Sequence, residues 1–155
     1  MTIVRAPGFT LLELMVTLVI AALLLALLVP VGTRGHGHAE LDRGARDIVA
    51  ALRLTRSRAI LANQSTGLFV DVANAYYRPA GEARSVALPR GIRVGLVTTE
   101  DDTLSASTGV IRFYPDGSSS GGGVSLTLGD SRYDVLVDWL TGGVTLRDHA
   151  QMSQR

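Results

Sequence analysis

The spacing of apolar positions divides the chain into three stretches. From Leu14 to Val29 nearly every residue is apolar, none is charged, and Thr17 is the only hydroxyl. With Phe9–Leu12 and Val31 added, the run reaches about 20 residues, roughly 30 Å of helix at ~1.5 Å per residue, enough to span a bilayer. From Glu40 to Asn63 the period is helical. Leu41, Ala45, Ile48, Val49, Leu52, Ala59 and Ile60 recur at three- and four-residue steps, and Asp42, Arg43, Arg46, Asp47, Arg53 and Arg56 lie mostly off that face. Between the two, Pro30 removes an amide from the helical ladder. Gly32, Gly35 and Gly37 follow, so residues 32–39 are expected to be loosely helical at best. Beyond Ser65 the period becomes two. It predicts strands at Gly67–Val72, Ala75–Arg78, Ser85–Leu88, Ile92–Val97, Val110–Tyr114, Val124–Leu128, Tyr133–Trp139 and Val144–Arg147. Asn74, Gly81, Pro89-Arg90-Gly91, Asp116-Gly117 and Thr141-Gly142-Gly143 mark the turns, the last a hairpin link. Helix first and antiparallel strands after is an α+β order.

Composition narrows this picture. A chain of 155 residues suits one domain of modest core plus an anchor. There is no cysteine, which excludes a disulfide framework and a thiolate metal site. All 15 basic residues are arginine, and the net charge of +1 falls to about zero if Arg5 leaves with a leader, so bulk charge gives no reason to expect nucleic acid.

Glu13 is the anomaly. A charge at mid-bilayer costs roughly 2.5–3.5 kcal/mol, so an acid inside such a run points to function. An ordinary secretory signal has a shorter apolar stretch with a small-x-small site after it. Here the apolar stretch is longer, and Val29-Pro30-Val31-Gly32 lacks a clean small-x-small pair. A plain anchor leaves Glu13 unexplained. Cleavage before the stretch, between Gly8 and Phe9, accounts for both: the apolar helix stays on the mature chain, and the new amine of Phe9 lies close to Glu13.

Gly8-Phe9-Thr10-Leu11-Leu12-Glu13 resembles the class III signal of type IV pilins and type II secretion pseudopilins. The resemblance implies that a prepilin peptidase cuts after Gly8 and methylates Phe9. It implies that Glu13 pairs with the terminal amine of a neighbouring subunit and sets the register of a filament. Pro30 would be the helix-kinking proline of that family. Further on, Ile111-Arg112-Phe113-Tyr114-Pro115-Asp116-Gly117-Ser118, Gly121-Gly122, Val137-Asp138 and Thr141-Gly142-Gly143-Val144 are similar to general secretion pathway protein H, a minor pseudopilin group. Thr55-Arg56-Ser57-Arg58-Ala59-Ile60 fits the same group.

The expected organisation is a leader over 1–8, a transmembrane and assembly helix over 9–31, a flexible Gly/His segment over 32–39 and a periplasmic domain over 40–155. That domain holds an amphipathic helix over 40–63 and strands within 67–147. The fold implied is pilin-like, a long N-terminal helix packed on an antiparallel sheet. The partners implied are the prepilin peptidase, other pseudopilins, the inner membrane and the secretion machinery. The group also contains FimT-like minor pilins of type IV pili, so the alternative is a minor pilin that contacts DNA during uptake.

Other motifs are weaker. Gly117-Ser118-Ser119-Ser120-Gly121-Gly122-Gly123 lacks the Gly-Lys-Ser/Thr ending of a phosphate loop and leads into a strand. Ser118–Ser120 with His36 or His149 as base has no nucleophile elbow around it, so no catalytic site is expected. His36 and His38 alternate with glycine and read as a solvated linker, not a metal site. Glu100-Asp101-Asp102 matches no calcium-loop spacing and reads as a solvated turn. No cofactor is expected. Arg43, Arg46, Arg53, Arg56 and Arg58 are the candidate DNA contacts of the alternative, but Asp42 and Asp47 interrupt them and favour surface pairing.

Overall fold

The computed structural model describes residues 10–149, with the side chains of 10–25 and 37–149. The leader and the pair Gly8–Phe9 lie outside the described residues. One helix, α1, runs over Leu11–Ala62. Eight strands follow: β1 (Thr66–Asp71), β2 (Tyr76–Pro79), β3 (Val86–Ala87), β4 (Arg93–Val97), β5 (Thr108–Phe113), β6 (Gly122–Leu128), β7 (Ser131–Val137) and β8 (Val144–Asp148).

The helical backbone continues through residues 32–39, where the sequence predicts loose helix. Glycine lowers helix propensity by about 1 kcal/mol each but keeps its amide, so the ladder of hydrogen bonds can pass through it. Pro30 also falls inside α1, among residues whose side chains are not described. The chain divides into two compact units, one ending at His36 and one beginning at Gly37.

The first unit carries the apolar half of α1. Thr10 opens it: the Glu13 amide donates to the Thr10 hydroxyl (3.3 Å), and the Leu14 amide donates to the Thr10 carbonyl (3.2 Å). Thr10-x-x-Glu13 is thus the helix start, with the acid in the first turn.

In the second unit the strands form two antiparallel four-stranded sheets, ordered β3-β2-β1-β5 and β4-β6-β7-β8. The register of the long pairs places Leu68 opposite Ile111 in the first sheet and Val124 opposite Val135 in the second. Leu41, Ala45, Ile48, Leu52 and Ala59 of α1 form one core with Leu68, Val70, Ile111 and Phe113 of the first sheet and Val124, Leu126, Tyr133 and Val135 of the second. The helix face is the predicted one except at its end, where Ile60 is exposed. A buried Thr55 sits within that face, its hydroxyl donating to the Ala51 carbonyl (2.7 Å), so a polar residue is accommodated without an orphaned group.

Candidate functional site

The second family-like motif is scattered over some 30 residues of sequence, and the fold gathers it at the C-terminal end of α1. Arg56 is the centre. Its Nε donates to the Gly117 carbonyl (3.0 Å) and an Nη to the Thr141 carbonyl (2.8 Å), so one guanidinium ties the helix to two loops. The planar, rigid fork of arginine suits two acceptors at once.

Each loop is fixed from within. Between β5 and β6, the Gly117 amide donates to the Tyr114 carbonyl (2.9 Å), and Asp116 accepts from the amide and hydroxyl of Ser118 (2.9 and 2.6 Å). Those bonds, the hydroxyl's first, hold the Asp116 carboxyl below the usual carboxylate range. Between β7 and β8, Asp138 accepts from the amide and hydroxyl of Thr141 (both 2.8 Å), and its carboxyl is likewise held low, chiefly by the amide. The Gly142 amide closes the turn on the Asp138 carbonyl (2.9 Å). The two loops meet where the Ser119 amide donates to the Trp139 carbonyl (2.9 Å).

Two glycines are required by this geometry. Gly142 has φ of +61°, and a Cβ there would come 2.2 Å from the Gly117 carbonyl oxygen and 2.8 Å from Arg56 Nε. Gly122 has φ of +110°, and a Cβ would come 2.2 Å from the Val97 carbonyl oxygen. The serines of the Gly/Ser run serve the same framework: Ser119 donates through its hydroxyl to the Arg112 carbonyl (2.7 Å), and Ser120 accepts from the Arg112 amide (3.1 Å). Trp139 and Leu140, at the tip of this construction, are exposed.

Most of the remaining candidates have structural partners. Of the five arginines, Arg46 pairs with Asp42 (2.9 Å), Arg58 with Glu82 (2.7 Å), and Arg53 reaches the Val144 carbonyl (3.4 Å). Arg43 is exposed. The fold does not present them as one free cationic stripe, because Arg56 and Arg53 are turned to carbonyls of the sheet side. In the acidic cluster, Glu100–Asp102 form one 3-10 turn, and Asp102 is buried rather than solvated. Arg112 donates to its Oδ1 through Nε (3.0 Å) and an Nη (2.8 Å). His38, expected in a solvated linker, is exposed but not free of the domain: it lies against Tyr133 with ring centroids 5.9 Å apart and approaches the Ser131 hydroxyl at 3.4 Å. The strand predicted over Tyr133–Trp139 stops at Val137 because Asp138 begins the turn.

Glu13 is exposed in the first turn of α1, surrounded by exposed Leu11, Leu12, Leu14, Met15 and Val16. The sequence reading missed Thr10 as a cap, although Thr-x-x-Glu before an apolar run is the capping-box signature. It named Arg56 among the candidate DNA contacts of the alternative and favoured surface pairing; nothing in the local sequence identifies the two carbonyls that receive it.

The family model for type II transport protein GspH matches residues 44–143, which include Arg56 and both loops. The prokaryotic N-terminal methylation motif matches residues 5–29. The type II secretion system protein H of Xanthomonas campestris pv. campestris is 30% identical over 137 residues, covering 88% of this chain and 80% of that protein. Two structures of the minor pseudopilin EpsH from the type 2 secretion system of Vibrio cholerae share the fold, at a TM-score of 0.55 and 16% identity. Each covers 70% of this chain, against 97% and 93% of the solved chains. The family match spans most of the chain, and the chain therefore belongs to the GspH family of type II transport proteins, structural pilin-like subunits and not enzymes.

Proposed function

We propose that the chain is made as a prepilin, cut by prepilin peptidase between Gly8 and Phe9, and methylated at Phe9. Residues Phe9–Val31 hold it in the bacterial inner membrane, with the globular unit in the periplasm. It then joins other pseudopilins at or near the tip of a type II secretion pseudopilus and supports export of folded proteins across the outer membrane.

The observation that carries this reading is the first unit of α1. Eleven large apolar side chains between Leu11 and Leu25 are exposed on one helical segment. A surface of that extent is not stable in water and needs lipid or other subunits to cover it. Among the described residues no helix is long and apolar enough to cross a membrane, and the fully described apolar run ends at Leu25. The span proposed here draws also on Phe9 and residues 26–31. Glu13 interrupts the apolar surface, and a carboxylate leaving water for a lipid or subunit environment requires a cationic partner. The amine of a neighbour's Phe9 supplies one.

DNA contact is not favoured, since Arg46 and Arg58 pair with carboxylates and Arg56 holds two loop carbonyls, which breaks up the candidate cationic stripe. The deciding experiment compares culture supernatants of a deletion strain and its parent, with pilus-dependent motility scored alongside. Loss of exported proteins with normal motility supports the secretion reading; lost motility or DNA uptake with an unchanged secretome overturns it. Within the filament, Glu13→Ala is expected to leave cleavage intact and to cut incorporation into the pseudopilus by tenfold or more. Normal incorporation of that variant would end the register role of Glu13.

A further inference from the structure

Strand β8 is an edge of the second sheet. Its register with β7, anchored by bonds from the His149 amide to the Arg132 carbonyl (3.0 Å) and the Asp138 amide to the Gly143 carbonyl (2.9 Å), fixes which groups face outward. Hydrogen-bonded pairs alternate along an antiparallel ladder, so residues 145 and 147 bond to β7, and Val144 and Leu146 turn their amides and carbonyls away from it. Arg53 meets the Val144 carbonyl at 3.4 Å. Among the described residues no hydrogen bond reaches the Leu146 amide or carbonyl.

Of the other three edges, β3, β5 and β4, the first two are blunted. β3 has only two residues. The outer side of β5 is covered where Ser120 donates to the Arg112 carbonyl (2.9 Å) and Thr98 to the Val110 carbonyl (2.7 Å). β8 carries no proline against further pairing, and its charged side chains, Arg147 and Asp148, lie at its C-terminal end. Beside it lies a slot of about 280 Å³ lined by Arg46, Val49, Ala50 and Arg53 of α1 and by Leu146. Val49, Ala50 and Leu146 are its apolar lining and Arg46 and Arg53 its cationic lining. Arg46 shares its charge with Asp42, whereas no carboxylate pairs with Arg53 among the described residues.

We propose that this edge and slot take an extended segment of a neighbouring pseudopilin, which pairs with the Leu146 amide and carbonyl and sets a carboxylate on Arg53. Backbone pairing would give the contact its strength, and the slot and Arg53 its selectivity. The inference rests on the pseudopilin reading above and assigns a docking surface within it.

The test uses the full chain in its own bacterium, with a photo-crosslinking benzoylphenylalanine at Ala50 and each co-expressed pseudopilin epitope-tagged. Irradiation is expected to give an adduct with one tagged pseudopilin. Arg53→Glu should reduce that adduct at least tenfold, and so should Leu146→Pro, which removes an amide that no ladder bond uses. Arg53→Glu changes an exposed side chain, so its result stands even if Leu146→Pro fails to accumulate. No adduct with any pseudopilin, or an adduct indifferent to Arg53→Glu, overturns the proposal. The failure of the secretion reading is separately visible, as an unchanged secretome in the deletion strain.

Discussion

Individual positions in the motif cluster are constrained by backbone geometry more than by side-chain chemistry. Gly142 adopts φ of +61° with the Gly117 carbonyl oxygen where a Cβ would go. Alanine there must bear left-handed strain and also displace a carbonyl that Arg56 holds. Gly81 has φ of +81° but nothing within 4 Å of its absent Cβ, so alanine there meets only the conformational term. Gly142→Ala is expected to cost about 2–4 kcal/mol and Gly81→Ala about 1 kcal/mol, as single-site effects of these kinds do. Denaturant titration of the two variants checks the difference; equal costs would mean the loops yield and the cluster is loosely held. The same geometry accounts for glycine at 142: a side chain there is strained and crowded at once.

At the scale of elements, Arg56 does for the loops what cross-strand pairing does for the strands. The β5–β6 and β7–β8 loops are both joined to α1 through its two bonds to backbone carbonyls. Bonds to a charged donor are worth about 1.5–3 kcal/mol each at most, and less for this partly exposed group. Arg56→Leu is therefore expected to lower stability by about 1–3 kcal/mol and to speed amide exchange at Ser119 and Gly142 together. Unchanged exchange at both amides would remove Arg56 from its role. The elements themselves were legible in the sequence. All eight strands and the amphipathic helix follow from period and turn residues, with ends displaced by one or two positions where a turn intrudes, as at Ala75 with φ of +50°. The division into two sheets was not legible, because alternation says which face is buried and not which strand is next. The Arg56 contacts were hidden for a similar reason, since their acceptors are backbone groups that every residue has. The helical path through residues 32–39 ran against local propensity; only at its end, at Gly37 and His38, do contacts with Leu128 and Tyr133 support it among the described side chains.

The whole molecule joins two units with opposite demands on solvent. The first exposes an apolar helical surface, while the second, from Gly37, encloses its own core. Much of what shapes the second unit's loops is ionised carboxylate. Asp71 accepts from the Asn74 amide (2.8 Å), and with Asp116 and Asp138 it belongs to a set of aspartates held below their ordinary range by turn hydrogen bonds. Asp134 joins them: burial opposes its ionisation, but bonds from Arg132 and His149 outweigh that. A carboxyl whose pKa is lower folded than unfolded leaves the unfolded chain binding more protons. Its contribution is fully present above the unfolded value, about 3.9, and is lost as pH falls through the lower folded value. For the detergent-solubilised full chain, the second unit's melting temperature is thus expected to stay level from about pH 7 to pH 5 and to fall below about pH 4. Replacing Asp71, Asp116 and Asp138 together by asparagine keeps an acceptor in each turn but removes the titration. That variant should melt lower at neutral pH and show a shallower acid limb. An acid limb as steep as the parent's would place the acid sensitivity elsewhere, with Asp134 and its two cationic partners the next groups to replace.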